Sequence, residues 1–298
     1  MDPSAAPDLF EMLVEVRREG LRAALATVIG TRGSTPGKST MRLLVVEDGR
    51  RIGTVGGGCV EADVIDLALD VMETGRARRS TFRLTERETG ATGLMCGGEL
   101  EVFVEDVTSP GLVLFGAGHI SRDLCEIAAR AGFRVTVVDD RESFANRGRF
   151  PAAAEVIAAP DFQAAFGALH MRPTTSCVVV TRGHAMDLQC TAFALSTTAR
   201  YVGLIGSKIK IKALLRRMRD EGQLDGVDAS RLHAPIGLDL GGGSAGEIAV
   251  AIVAELIAHR HGRDTAHTAK RLPLEEIHAI VGEAGAARTS EGSEDPEQ

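Results

Sequence analysis

At 298 residues the chain is about twice the length of a typical domain, so two domains are expected. It is 44% apolar and 25% charged, with no Trp and a single Tyr, so the core must rest on aliphatic side chains. Net charge is −7 with both signs dispersed, which argues against a nucleic-acid surface and its clustered Lys and Arg.

Residues 5–19 carry Phe10, Leu13, Val14 and Val16 between charges, the spacing of an amphipathic helix. A strand over Ala23–Ile29, a Gly/Ser/Thr/Pro loop over Thr31–Thr40 and a strand over Leu43–Val46 follow. Asp48-Gly49 is a hairpin signal ahead of a strand over Ile52–Val55. Gly56-Gly57-Gly58-Cys59-Val60-Glu61 opens a helix over Glu61–Thr74, with Gly75 as its cap. Ser80–Leu84 and Glu99–Glu105 read as strands around a loop containing Met95-Cys96-Gly97-Gly98. This half is an α+β domain, expected over residues 1–108.

Ser109-Pro110-Gly111 marks a boundary, after which strands and helices alternate. Strands are expected at Leu112–Phe115, Arg134–Val138, Glu155–Ala158, Cys177–Thr181 and Tyr201–Ile205. Helices are expected at Ile120–Ala131, Leu188–Thr197, Lys208–Gly222 and Ala245–Arg260. Unbroken apolar strands such as Val178-Val179-Val180 fit a parallel sheet covered on both faces. The class is therefore α/β, an α+β domain followed by a Rossmann-type, doubly wound domain over 109–265. Residues 266–298 form an extension, expected to be disordered from about 284 because Ser, Glu, Asp, Pro and Gln dominate it.

No basic stretch leads into an apolar run at the N-terminus, and no apolar run reaches the ~20 residues of a spanning helix. Five cysteines lack framework spacing and read as reduced thiols, so a cytoplasmic location is expected. Lys208, Lys210, Lys212, Arg216, Arg217 and Arg219 share a predicted helix and read as its solvated face.

The strongest motif is Leu112-Val113-Leu114-Phe115-Gly116-Ala117-Gly118-His119, a buried strand running through Gly-x-Gly into a helix. Gly116 permits the tight turn, and Gly118 lets backbone approach a pyrophosphate at the helix N-terminus, where N–H groups attract anions. Ser121 stands where the usual fingerprint has its third glycine. Asp139 lies 23 residues after Gly116, near the ~20 expected of a ribose-binding carboxylate. It favours a free 2′-hydroxyl, as in NAD, while Arg141 offers a seat for a 2′-phosphate. A scaffold that has lost its nucleotide would keep the same pattern.

Gly33-Ser34-Thr35-Pro36-Gly37-Lys38-Ser39 mimics a phosphate-binding P-loop but fails on spacing, since Arg32 stands where the first glycine belongs and a strand follows. Cys59 and Cys96 each sit in a glycine-rich turn, and Cys59 lies near a helix N-terminus, a setting that favours thiolate. Thiol chemistry, ligation of a soft group and mere packing of small residues at crowded turns all fit. Cys125, Cys177 and Cys190 fall on regular elements and read as buried packing. His259 and His261 lack the partners of a zinc site. His184, after a sheet strand, is the histidine best placed for a role. No Ser/His/Asp set or carboxylate pair stands out, so no catalytic residue is assigned.

Taken in order, these segments resemble the xanthine dehydrogenase accessory protein (XdhC/CoxI-like) family of molybdenum cofactor chaperones, from about Phe10 to His261. The carriers are Gly33-Ser34-Thr35-Pro36, Gly56-Gly57-Gly58-Cys59-Val60-Glu61, Met95-Cys96-Gly97-Gly98, Gly116-Ala117-Gly118-His119 and Asp139-Asp140-Arg141. Arg149-Phe150-Pro151, Thr181-Arg182-Gly183-His184, Tyr201–Lys208, Pro235-Ile236-Gly237-Leu238 and Gly246-Glu247-Ile248-Ala249 continue the series. The chain departs from the family at Ser39-Thr40-Met41-Arg42, where Pro/Ala-Gly-Ala-Lys is frequent, and at Ala245-Gly246, where Pro-Glu is usual.

The resemblance implies binding of molybdenum cofactor, help in its sulfuration and delivery to a molybdenum hydroxylase such as xanthine dehydrogenase. Partners would be that apo-enzyme and a cysteine desulfurase, with self-association and no nucleic acid or membrane. The expected cofactor-binding set is Gly116, Gly118, His119, Asp139, Arg141, Cys59 and Cys96, with the cofactor between the domains and NAD as a further ligand. The alternatives are an NAD-dependent oxidoreductase, with His184 and His119 as its acid/base candidates, and a Rossmann domain that senses NAD redox state while the first domain performs the delivery.

Overall fold

The computed structural model describes residues 8–83, 98–263, 265 and 268–281. It divides between Ser109 and Pro110 into two compact units.

The first unit is a five-stranded antiparallel sheet with a helix on each face. Helix α1 (Leu9–Glu19) ends at Gly20, whose left-handed φ of 77° lets its N–H return to Val16 O. Strands β1 (Ala23–Arg32), β2 (Arg42–Val46) and β3 (Arg51–Gly53) precede helix α2 (Gly58–Thr74), then β4 (Arg78–Arg83) and β5 (Glu99–Asp106). The strand order is β3-β2-β1-β5-β4. Asp48-Gly49 forms the β2–β3 turn, with Gly49 at φ 91°.

The period-2 alternation of strands assigns each residue its face. Ala24, Ala26, Val28, Leu43, Val45, Leu100, Val102 and Val104 pack under the α2 stripe of Val60, Val64, Ala68 and Val71. The intervening Ala23, Leu25, Leu44 and Val46 meet Met12 and Val16 of α1 on the other face. Each fully buried Val or Leu contributes about 1.5–3 kcal/mol, so a one-residue slip in β1 would exchange the two sets and forfeit both cores.

The second unit contains β6 (Gly111–Phe115), α3 (His119–Arg130), β7 (Arg134–Asp139), β8 (Glu155–Ala158), α4 (Phe162–Phe166) and β9 (Ser176–Val179). It continues with α5 (His184–Ser196), β10 (Tyr201–Leu204), α6 (Lys208–Asp220), β11 (Leu232–His233), α7 (Ala245–Arg260) and α8 (Leu274–Val281). Strand order is β11-β10-β9-β6-β7-β8, with every pairing parallel. Numbered within this unit, the order is 6-5-4-1-2-3, the doubly wound dinucleotide-binding arrangement. Leu112 and Leu114 face α3 and α7 through Leu124, Ile252 and Leu256, while Val113 and Phe115 face α5 and α6 through Leu188, Ile211 and Leu215. Burial on both faces is what made these strands read as unbroken apolar runs.

Several elements differ from expectation. Helix α2 starts at Gly58 rather than Glu61, and α5 at His184 rather than Leu188, since glycine N-caps hide the first turn from apolar periodicity. Strand β11 and helix α4 are too short to show a period. Part of the expected extension is helix α8, and Leu272, Ile277, Ile280 and Val281 join the core of the sheet. The tail expected to be disordered, from about 284, lies outside the described residues. On α6, Lys210 pairs with Asp187, Lys212 with Glu276 and Arg217 with Glu221, so the basic run is largely neutralised by its own chain.

Candidate functional site

Each unit gathers its glycine-rich motifs at one place. In the first unit, segments far apart in sequence meet backbone to backbone. A Cβ on Gly37 would stand 2.2 Å from Val55 O, and one on Gly56 would stand 2.5 Å from Gly37 N. A Cβ on Gly98 would stand 2.6 Å from both Arg32 O and Ser34 O. The glycines of the 33–37 loop, the 56–58 turn and the lead into β5 are therefore demanded by one another.

Gly57 and Gly58 differ from these. Both adopt left-handed φ values, 75° and 69°, yet a Cβ on either would meet nothing within 4 Å. They line open space at the start of α2, where the exposed Cys59 occupies the first turn. The N-terminal end of the α2 dipole places positive potential beside the thiol. Glu61 braces the turn: its Oε2 accepts from Thr54 Oγ1–H, from Val55 N–H at 3.2 Å and from Gly57 N–H at 3.2 Å. The Thr54 hydroxyl, with these two N–H groups and against some desolvation, holds the Glu61 carboxyl below its ordinary pKa. Cys96 lies outside the described residues.

In the second unit the site lies at the carboxyl ends of β6 and β9, where the sheet order reverses and ligands of open α/β sheets bind. Gly116, at φ 111°, closes the turn because a Cβ there would stand 2.4 Å from Val180 O. Gly118 and Gly183 are the N-caps of α3 and α5, and a Cβ on either would meet nothing within 4 Å. Two helix N-termini thus begin beyond the carboxyl ends of the paired strands β6 and β9, each capped by a glycine. His119 and His184, the first helical residues, are both exposed.

Asp139, at the end of β7, is only 2% exposed and serves as the brace of this turn. Its Oδ2 accepts from Ala117 N–H at 2.7 Å and Arg141 Nη2–H at 2.9 Å, and its Oδ1 from Arg141 N–H at 3.0 Å and Nε–H at 2.8 Å. Burial alone would raise its pKa, but Arg141 and these N–H groups outweigh burial and hold it below the ordinary value. Arg141 and Arg149 both lie over the Phe144 ring, at 3.8 and 4.8 Å, and Arg149 Nη2–H reaches Ala117 O at 3.4 Å. Arg182 crosses from the β9 end to Asp140 at 2.6 Å. Sequence reasoning missed Arg149, Phe144 and Arg182 as site residues. The signal present was Arg182 just beyond the end of β9 and Arg149 in the segment that follows β7.

The other cysteines are interior. Cys125, Cys177 and Cys190 are buried, and burial pushes the Cys125 thiol up to about 11 and the other two higher still.

With this geometry in view, comparison with known proteins is decisive. A model of the XdhC and CoxI family matches residues 16–84, and a model of the XdhC Rossmann domain matches residues 112–256. The chain belongs to the XdhC and CoxI family.

Among relatives, the uncharacterized protein YqeB of Escherichia coli K12 is 32% identical over 251 residues, covering 84% of this chain and 46% of YqeB. The chain thus spans about half the length of that relative. A probable xanthine dehydrogenase component of Bacillus subtilis 168 is 26% identical over 330 aligned positions, covering 85% of this chain and 96% of that protein. The molybdenum cofactor insertion chaperone PaoD of Escherichia coli K12 is 39% identical over 74 residues, a quarter of this chain and 23% of PaoD. Among the described residues, no helix is long and apolar enough to cross a membrane.

Proposed function

We propose that this protein is an accessory factor of molybdenum hydroxylases: it binds molybdenum cofactor, assists its sulfuration, protects it and hands it to an apo-enzyme such as xanthine dehydrogenase. The observation that carries this reading is the exposed Cys59 on the first turn of α2, beside the open space over Gly57 and Gly58. Family membership and the partial likeness to an insertion chaperone support it.

The chemistry fits the residues present. Molybdenum in its dithiolene is a soft centre that suits sulfur ligands, and Cys59 presents its sulfur exposed on the first turn of α2. Cys96, two residues before Gly98 in the sequence, is the proposed second thiol. In the second unit, the Gly116–Gly118 turn offers N–H donors with no side chain in the way, a setting that suits a phosphate. The bound cofactor would supply redox and sulfur chemistry to its eventual enzyme, while this chain supplies ligation, shielding and release. A cysteine desulfurase as sulfur source and self-association of the chain complete the proposal.

The test is a titration of the purified full-length protein with molybdenum cofactor. Cys59→Ser and Cys96→Ser are expected to weaken binding by about tenfold or more, the loss of one or more strong ligand bonds. Unchanged affinity and sulfuration in the double variant would overturn the thiol assignment. Steady NADH consumption with a small carbonyl substrate would move the protein to the oxidoreductases.

A further inference from the structure

The sequence favours a free 2′-hydroxyl at the ribose position of the Rossmann turn, because an aspartate ends the second strand of the unit. The geometry points to the opposite ligand. A carboxylate has about four acceptor sites, two on each oxygen. Asp139 fills all four within its own chain, with Ala117 N–H and Arg141 Nη2–H on Oδ2 and Arg141 N–H and Nε–H on Oδ1. At 2% exposure it is also closed to solvent. A ribose diol arriving there would have to break a bidentate arginine pair, the strongest class of hydrogen-bonded contact available to it.

What the turn offers in its place is positive charge. Arg141 keeps N–H donors that Asp139 does not use. Arg149 touches Ala117 O, and its Nε–H is buried with no hydrogen-bond partner among the described residues. Both guanidinium groups are steered by the same Phe144 ring, and Arg182 adds a third cation from the β9 end. Arg149 at Ala117 O and Arg141 through Asp139 flank the residue before Gly118, and Arg182 pairs with Asp140, so three arginines stand against two aspartates. An unpaired buried donor is costly and calls for an acceptor. A phosphomonoester, dianionic and rich in acceptors, matches this set far better than a neutral diol does.

We infer that the Rossmann turn selects a ligand bearing a phosphomonoester, read by Arg141 and Arg149, and rejects one that offers only a ribose diol. The sources of that group are a 2′-phosphorylated dinucleotide or the phosphate of the pterin cofactor. The inference deepens the anion-site half of the proposed function and is independent of its thiol half.

The experiment titrates the full-length protein with NADP+ and with NAD+ by calorimetry, and repeats each with molybdenum cofactor as competitor. NADP+ is expected to bind at least about tenfold more tightly than NAD+, the difference made by one well-placed charge-assisted contact. Arg149→Gln is expected to weaken NADP+ by about tenfold and leave NAD+ nearly unchanged, which a merely structural role would not do. Arg141→Ala frees Asp139, so the preference should collapse or invert as NADP+ weakens and NAD+ gains an acceptor. Displacement of NADP+ by cofactor assigns the phosphate to the pterin, and simultaneous binding assigns it to a separate nucleotide; either outcome upholds the selectivity. NAD+ binding as tightly as NADP+, or no binding of either, overturns it, and Cys59→Ser measured alongside reports on the thiol site separately.

Discussion

The two glycines of the Rossmann turn have opposite reasons for being there, and alanine substitution separates them. At Gly116 a Cβ would stand 2.4 Å from Val180 O, 2.8 Å from Val180 C and 3.1 Å from Thr181 Cα. Non-bonded carbon and oxygen normally stay beyond about 3.3 Å even in close C–H···O contacts, so one strand end must yield by nearly an ångström. Neither end is free to do so, because Gly116 N–H donates to Val138 O at 2.7 Å and Val180 N–H to Phe115 O at 2.9 Å. Overpacking of this kind costs about 1–3 kcal/mol. The φ of 111° adds strain for any residue with a Cβ, about 1–2 kcal/mol on the scale of left-handed backbone.

Gly116→Ala is therefore expected to lower stability by about 2–5 kcal/mol. At Gly118, φ is −74° and a Cβ would meet nothing within 4 Å, so alanine is compatible with the fold. Gly118→Ala should change stability by less than about 1 kcal/mol, the gain through the unfolded chain offsetting the poorer N-cap. The same methyl group would occupy the space kept open for an anion, and ligand binding should fall. Urea unfolding of the full-length variants, followed by circular dichroism, reads the stabilities, and calorimetry reads the binding. A Gly116→Ala protein as stable as the parent would refute the packing argument. So would a Gly118→Ala protein that loses more than about 1 kcal/mol, the ordinary cost of a disruptive substitution.

Acid should destabilise the second unit through His259, which packs edge-on against Tyr201 and His233 near Glu255. Burial first, then His233 and Arg200, lowers its pKa to about 4 from 6.5, so its stabilisation is intact above pH 6.5 and lost as pH falls toward 4. The ring is partly solvated, so a loss of about 1–2 kcal/mol is expected, and it should vanish in His259→Gln; a pH series of urea midpoints that is flat over this window would count against it. Among the described residues of the first unit, Thr40 is the non-glycine residue with positive φ, 75°, held by its N–H bond to Val28 O at 2.9 Å. It is exposed and β-branched, so Thr40→Gly should raise stability by about 1 kcal/mol; an unchanged or lower urea midpoint would contradict the strain.

Periodicity alone determined much about this protein. Two-residue alternation in β5, unbroken apolar runs in β6 and β9, and the Gly-x-Gly turn before α3 are local signals, since each is written within one element. Together they carried the α+β half and the doubly wound half, while the family rested on the resemblance of short motifs taken in order. Two features were written there and passed over: α8, with Leu274, Ile277, Ile280 and Val281 at helical spacing, and the arginines that follow the strand ends. What only the tertiary structure decided is which distant groups meet. That Gly37 needs Gly56, and Gly98 needs Arg32, follows from chain segments crossing at one junction, and no spacing encodes such a crossing. Asp139 is the clearest case. Its position predicts a ribose acceptor, but whether its oxygens are available depends on Ala117, 22 residues earlier, and on the rotamer of Arg141. A sequence fixes which donors and acceptors exist; the fold decides which of them are already spent on each other.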